Sequence, residues 1–141
     1  MGCSDTPVES EPGLFFPTTR EESDVSMAAE YSGPLVVLRK CVLVGNPGDY
    51  SLPIWPPGFS AARDGSGRLV VRDSEANKIA AEGESFKMGG GFIAEFQPQE
   101  KVEPREVQMH RVEESLGYSV PRRCLGPDDY GVWLVAGASL D

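Results

Sequence analysis

The sequence predicts a mainly β fold: a small five- to six-stranded barrel, with the OB fold as one candidate topology, one short helix and a disordered N-terminal leader. Three observations favour it. The 141 residues include 16 Gly and 12 Pro, about a fifth of the chain against roughly 12% in average proteins. Short runs rich in β-branched residues lie between these turn formers. Only one segment has helical spacing, which favours a small all-β architecture.

The chain divides into a leader, residues 1–33, and a compact domain, residues 34–141. The leader holds seven acids and Arg20, so it carries −6 of the net charge of −9. It is rich in Pro, Ser and Thr, and it has too little apolar surface to offset the entropy lost on folding. The apolar run Leu14-Phe15-Phe16-Pro17 is the exception. We interpret it as docking on the domain, with a partner-binding motif as the alternative.

Six strands are predicted from β-branched and aromatic runs bounded by turn residues. In chain order they cover residues 35–44, 50–55, 68–73, 78–86, 92–96 and 130–137. Gly83 predicts a bulge or bend within the fourth of them. The run Met88-Gly89-Gly90-Gly91 predicts a tight bend between two strands.

The helix is predicted over residues 103–116. Pro104 suits its first turn and Gly117 suits the position after its last residue. Val107, Val112 and Leu116 have roughly helical spacing. These three side chains are therefore the expected buried face.

The charge distribution limits the partners. An acidic field repels phosphate, so nucleic acid and anionic lipid are disfavoured. No run of 18 apolar residues exists, so no transmembrane helix is predicted, and no complete signal peptide is recognised. We expect a monomer that binds a protein or small-molecule ligand, attached to a membrane only through a lipid on Cys3. No cofactor is predicted.

Cys41 and Cys124 are the candidate disulfide pair. Cys41 lies in the first predicted strand and Cys124 just before the last, and adjacent first and last strands would bring them together across a barrel seam. The bridge would enclose about 84 residues, for which the chain-entropy model gives roughly 4.5 kcal/mol. In a reducing compartment both would remain thiols.

Cys3 is the candidate lipidation site, with three interpretations. Gly2-Cys3 matches the end of a bacterial lipobox, in which Cys3 itself carries the lipid. Gly2 with Thr6 matches an N-myristoylation pattern, with Cys3 available for palmitate. Otherwise Cys3 is a free thiol. Export to the bacterial envelope with membrane anchoring is the predicted localisation, and the cytoplasm is the alternative.

Several motifs together resemble a family of small bacterial exported or lipoprotein-like β-barrel domains. They are the first-strand Cys41, the segment Trp55-Pro56-Pro57-Gly58, the run Gly89-Gly90-Gly91 and the segment Cys124-Leu125-Gly126-Pro127. The resemblance covers about residues 35–137. It implies export, a disulfide and a compact barrel, and no assigned activity.

Four aromatic residues are the ligand-binding candidates, namely Trp55, Phe59, Tyr50 and Trp133. Two prolines stiffen the chain between Trp55 and Phe59, and rigid aromatic groups bind ligands at low entropic cost. The simpler interpretation is that Trp55 and Phe59 close one end of the barrel.

No catalytic or metal-ligating residues are predicted. His110 is the only histidine, the cysteines lack CxxC spacing, and no serine lies in a Gly-x-Ser-x-Gly motif. Glu82 and Glu84 share a strand face but suit solvated charges better than a glycosidase pair. We expect a non-enzymatic exported or lipid-anchored accessory domain. The alternatives are a small-molecule or oligosaccharide binder and, third, a small hydrolase.

Overall fold

The computed structural model describes residues 13–19, 29–95, 104–125 and 131–140. The elements in these ranges are β1 (Ala29–Leu38), β2 (Cys41–Val44), β3 (Ser51–Ile54), β4 (Ser60–Arg63), β5 (Leu69–Arg72), β6 (Lys78–Ala81), β7 (Ser85–Glu95), α1 (Arg105–Leu116), the 3-10 turn Arg122–Cys124 and β8 (Gly131–Leu140). The predicted mainly β fold class with one α-helix is confirmed. No helix in the described ranges is long and apolar enough to cross a membrane.

Five strands pair in a closed ring in the order β1-β2-β3-β8-β7. Neighbours in the ring are antiparallel except β3 and β8, which are parallel from Ser51↔Gly131 to Ile54↔Leu134. The strands β4, β5 and β6 form a separate antiparallel sheet. The last strand therefore lies between β3 and β7 and is not a neighbour of the first.

The prediction of a single strand over residues 35–44 is wrong, because this stretch forms a hairpin. β1 ends and β2 begins at the pair Leu38↔Cys41. Arg39 and Lys40 form the two-residue turn between them, with φ of 54° and 62°. Positive φ at both positions defines a type I′ turn, which usually contains Asn-Gly. The Arg-Lys pair therefore carried no turn signal.

The predicted bend at residues 88–91 is also wrong, because β7 runs through it without a break. The pairing of β7 with β8 shifts register between Gly89 and Gly90, which is the geometry of a β-bulge. Gly90 has φ 136°, and a Cβ on it would collide with the carbonyl oxygen of Leu134. The glycines thus allow β8 to approach β7 closely.

The other predicted strands correspond to β3, β5, β6, the second half of β7 and β8. Gly83 bends the chain between β6 and β7 with φ 85°. The strand β4 was not predicted. Its sequence, Ser-Ala-Ala-Arg, contains no β-branched or aromatic residue, so it lacked the usual strand signal.

Residues 13–19 of the predicted leader are part of the fold. Leu14 and Phe16 are only 8% and 5% exposed, and Phe15 is half-buried. β1 also begins at Ala29, ahead of the predicted domain boundary at residue 34. The docking interpretation of residues 14–17 therefore describes the structure. The rest of the predicted leader, residues 1–12 and 20–28, lies outside the described residues.

The segment 13–19 is held mainly by backbone hydrogen bonds. The N–H of Phe15 donates to the carbonyl of Lys40 at 2.8 Å, and its carbonyl accepts from Val42 at 3.4 Å. Further along, the N–H of Trp55 donates to the carbonyl of Pro17 at 2.8 Å. Because β2 and β3 share only one registered pair, the segment supplies bonds where these strands do not pair with each other.

Two buried clusters occupy the two faces of the ring strands, since side chains alternate along a strand. The sheet-side cluster, shared with β4, β5 and β6, contains Leu14, Phe16, Leu35, Val42, Val44, Trp55, Ala61, Leu69, Val71, Ile79, Ala80, Phe86, Met88, Trp133 and Val135. The helix-side cluster, shared with α1, contains Cys41, Leu43, Leu52, Ile54, Ala94, Met109, Val112, Leu116, Val120, Cys124, Leu125 and Val132.

The predicted helix is confirmed as α1, and Gly117 ends it in the left-handed conformation at φ 85°. Val112 and Leu116 are buried as expected. Val107 is 45% exposed, and Met109 takes its place in the helix-side cluster. The spacing identified the helix but placed Val107 on its buried face, whereas Gln108 and Met109 are the first buried residues.

Candidate functional site

The aromatic ligand-binding candidates lie mostly inside the protein. Trp55 is 0% exposed and Trp133 is 2% exposed, while Tyr50 and Phe59 are half-buried. The ring of Trp55 stacks on Phe16, with centroids 5.3 Å apart and planes at 16°. Trp55 therefore presents no ring face to a ligand at the surface.

A second aromatic group surrounds Trp133. Its ring lies 4.8 Å from Phe92 at 87° and 5.6 Å from Tyr31 at 37°. Its indole N–H donates to the carbonyl of Gly89 at 3.2 Å, so the glycine run provides an acceptor as well as space. Trp133 acts as a core residue that fixes the β7–β8 contact.

Trp55 differs from Trp133 in its indole N–H. The Nε1 atom of Trp55 is buried without a hydrogen-bond partner among the described residues, and so is the Oγ atom of Ser51. A buried unpaired donor costs about 1–3 kcal/mol. The two tryptophans are therefore a matched pair, similar in burial and opposite in hydrogen bonding.

We expect Trp133→Phe to lower the free energy of unfolding by about 2 kcal/mol more than Trp55→Phe, because only the first breaks a buried hydrogen bond. Urea denaturation of the two variants measures the difference, and the shared volume change cancels. Equal losses would mean that the Trp55 N–H is bonded in solution.

The predicted pair Cys41–Cys124 is confirmed as a disulfide, with the two Cα atoms 5.5 Å apart. Both residues are 0% exposed. The seam argument behind the prediction was wrong, because β8 does not neighbour β1 and Cys124 lies in the 3-10 turn. The bond joins that turn to the start of β2, in the helix-side cluster.

The residues that directly precede Cys41 and Cys124 in the sequence are basic and lie at the surface. The side chain of Arg39 donates to the carbonyl of Arg123, and the Nε of Arg123 donates back to the carbonyl of Arg39 at 2.9 Å. The Nη2 of Arg123 also donates to the carbonyl of Gly13 at 2.9 Å. We call the exposed residues Arg39, Lys40 and Arg123 the basic corner. Sequence reasoning missed it, although each bonded cysteine directly follows two basic residues.

The neighbouring Arg122 has a different role. Its guanidinium lies 3.0 Å from carboxylate oxygens of both Glu106 and Glu113. The hydrogen bond from Arg122, reinforced by the N–H of Val120, holds the pKa of Glu113 below its usual value. Arg122 thus fastens the 3-10 turn to α1 and is neutralised by its own partners.

The Arg122 clamp predicts a pH dependence. Because the folded pKa of Glu113 is depressed, its contribution is present above the ordinary carboxyl pKa near 4.5 and is lost as the pH falls through the folded value. We expect Arg122→Gln to cost about 1 kcal/mol near neutral pH and progressively less at lower pH. Denaturation at a series of pH values measures this, with the exposed Arg72→Gln as control. A cost independent of pH would contradict the clamp.

The enzyme candidates have structural partners. His110 is exposed on α1, with Nδ1 4.0 Å from the Glu113 carboxylate. Glu82 pairs with Arg63 at 3.3 Å and Glu84 pairs with Arg68 at 3.0 Å. Cys41 and Cys124 are bonded to each other and hold no free thiol. In the described part of the chain no cluster of His, Cys, Asp or Glu suits a metal ion.

The lipidation candidate Cys3 lies outside the described residues. Comparison with known proteins found no matching family model, no matching curated protein and no matching solved structure.

Proposed function

We propose that this protein is a non-enzymatic domain of the bacterial envelope, exported and anchored by a lipid on Cys3, that binds a partner there. The observation that carries the proposal is the buried Cys41–Cys124 bond. Disulfides form and persist in oxidising compartments and are rare in the cytosol. The bond also leaves Cys3 as the one cysteine of the chain outside that pair.

The fold supports anchoring in a second way. Gly13 is ten residues after Cys3, and from Gly13 to residue 19 the chain is packed into the domain. A lipid on Cys3 would thus be joined to the folded domain by a short stretch of chain that enters the domain at Gly13. The chain from Cys3 to Gly13 can span at most about 35 Å.

We also propose that the five-stranded ring is a small OB-like barrel. Numbered among themselves in chain order, the ring strands follow the order 1-2-3-5-4, with the third and fifth parallel, which is the OB arrangement. The inserted sheet between the third and fourth ring strands and the helix between the fourth and fifth are departures from that arrangement.

The OB-like order does not favour an oligosaccharide ligand. OB domains bind oligosaccharides and oligonucleotides on the face of their second and third strands. Every residue of Cys41–Val44 and Ser51–Ile54 is buried. That face is therefore covered by other parts of this chain, and the accessory-domain proposal remains the better supported one.

Detergent phase separation of the protein expressed with its native upstream region tests the anchor. We expect the wild-type protein to enter the detergent phase and Cys3→Ala to stay in the aqueous phase, because only the lipid supplies membrane affinity. The Cys41→Ala/Cys124→Ala variant is the control and should still enter the detergent phase. If the wild-type protein stays in the aqueous phase, the anchor proposal is wrong.

A further inference from the structure

The segment 13–19, which we call the strap, fills an opening between β2 and β3. These strands share a single registered pair, so the start of β2 and the end of β3 do not pair with each other. Phe15 of the strap bridges Cys41 at the start of β2. Thr18 bridges Trp55, the residue that follows β3. The strap therefore lies in a groove whose first wall is β2.

The second wall of the groove is the chain that runs from the end of α1 to the 3-10 turn. The hydroxyl of Tyr118 donates to the carbonyl of Thr18 at 2.8 Å, and its ring lies edge-on to that of Phe15. The Nη2 of Arg123 donates to the carbonyl of Gly13 at 2.9 Å. The strap is thus held between two parts of the chain that are distant in sequence.

The disulfide joins these two walls. Cys41 begins β2 and Cys124 ends the 3-10 turn, and their sequence separation is 83. Beside the bond, the reciprocal hydrogen bonds of Arg39 and Arg123 are a weaker tie between the same walls. No short stretch of chain replaces the bond when it is broken, so the groove that holds the strap depends on it.

The strap in turn covers the bond. Phe15 packs against the helix-side cluster, which contains both bonded cysteines at 0% exposure. Its N–H donates to the carbonyl of Lys40, and its carbonyl accepts from Val42. These two bonds flank Cys41. A thiolate reduces a disulfide only where it can reach a sulfur atom, so the docked strap restricts access to Cys41.

We propose that the strap and the Cys41–Cys124 bond form a redox-sensitive switch, in which the bond holds the strap and the strap shields the bond. The reductant is a protein dithiol of the CxxC type. Its two sulfur atoms form a new disulfide, and Cys41 and Cys124 receive the two electrons and two protons as thiols. The two walls are then no longer joined, and the strap leaves its groove more often. Coupling is reciprocal, so any change that loosens the strap favours reduction of the bond.

Release of the strap changes how far the domain reaches from its anchor, a consequence that rests on the proposed function. With the strap docked, the chain from Cys3 to Gly13 spans at most about 35 Å. With the strap released, the chain from Cys3 to Ala29, where β1 begins, spans at most about 90 Å. The oxidised and reduced proteins therefore differ in their reach from the membrane.

Reduction kinetics test whether the strap shields the bond. The oxidised protein carries Cys3→Ala, so that only the bonded cysteines react, and is treated with dithiothreitol under native conditions. Alkylation and mass spectrometry count the thiols over time. We expect Phe16→Ala, which removes a buried side chain of the strap, to be reduced at least about tenfold faster, because the rate follows the equilibrium of local opening.

The matched control is Leu69→Ala, which removes a fully buried side chain from β5, a strand that pairs with no ring strand. It destabilises the fold by a similar amount but leaves the strap docked, so its reduction rate should stay within about twofold of the parent. Equal acceleration in the two variants would overturn the proposal, and so would an unchanged rate in Phe16→Ala. If Phe16→Ala does not fold, Phe15→Ala decides the question with an expected acceleration of about fivefold.

Hydrogen exchange tests whether the bond holds the strap. Four N–H groups donate hydrogen bonds between the strap and its neighbouring strands, namely those of Phe15, Thr19, Val42 and Trp55. We expect them to share one exchange rate that is independent of urea at low concentration and rises about tenfold on reduction. The N–H of Glu82, bonded to the carbonyl of Leu69 at 2.8 Å, is the reference amide for global unfolding.

Two results of this experiment would overturn the proposal. One is a strap rate that reduction leaves unchanged, and the other is a set of strap amides that follow Glu82 at every urea concentration in both redox states. Neither measurement uses a lipid or a membrane. Failure of the switch therefore leaves the anchor proposal intact, and failure of the anchor leaves the switch intact.

Discussion

Replacing Cys41 and Cys124 together with alanine should lower the free energy of unfolding by about 4 kcal/mol. The bond closes a long loop, with a sequence separation of 83, so the unfolded chain gains considerable freedom when it is removed. Both residues also lie in the helix-side cluster at 0% exposure, where alanine fills the space less well. The corresponding fall in melting temperature is roughly 15 °C.

Urea denaturation of the oxidised wild type, the double variant and Cys3→Ala measures this effect. Cys3→Ala is the control for loss of a thiol. Its stability should match that of the wild type, because the disulfide joins Cys41 to Cys124 and does not involve Cys3. A steeper dependence on urea is also expected for the double variant, since its unfolded state exposes more surface. A loss below about 1 kcal/mol would show that the bond does not constrain the unfolded chain.

The second large effect is expected for Phe16→Ala, at about 4 kcal/mol. Phe16 is 5% exposed and stacks on the fully buried Trp55 at 5.3 Å. Removing the ring leaves a cavity in the sheet-side cluster and exposes one face of the indole. The loss of stability should appear as a lower midpoint or weaker cooperativity in chemical denaturation. The tryptophan emission maximum should also shift to longer wavelength, because the indole meets water.

Two controls define what this result means. Phe15→Ala should cost less, about 2 kcal/mol, since Phe15 is half-buried and meets Tyr118 only edge-on at 6.4 Å. The exposed Val107→Ala should change stability by less than about 0.5 kcal/mol. If Phe16→Ala is as mild as Val107→Ala, the segment 13–19 does not form part of the core in solution.

The parts of the fold that carried local signals were predictable. The runs at β3, β5 and β8 have β-branched or aromatic residues between turns, and α1 has its proline and glycine boundaries. The turn at Arg39-Lys40 was not predictable, because it contains neither Gly nor Asn. The parallel pairing of β3 with β8 was not predictable either, since long-range register leaves no local trace in a sequence.

The candidate site was predictable only in part. The Cys41–Cys124 pair was predicted from the expected adjacency of the first and last strands, although β8 in fact lies between β3 and β7. The exposure of Trp55 could not be judged, because the residue that covers it, Phe16, lies 39 positions earlier in a stretch read as a leader. The basic corner did have a signal, the pairs Arg39-Lys40 and Arg122-Arg123 ahead of the bonded cysteines, and only the fold distinguishes the neutralised Arg122 from Arg123.

The central claim is that this domain works in an oxidising envelope compartment with a lipid on Cys3. Non-reducing mass spectrometry of the protein isolated from its own host tests it most directly, after alkylation of free thiols during lysis. We predict a peptide pair linked through Cys41 and Cys124 and an N-terminal peptide whose Cys3 carries an acyl-chain modification. Three alkylated cysteines in a protein recovered from the soluble cytosolic fraction would contradict the account.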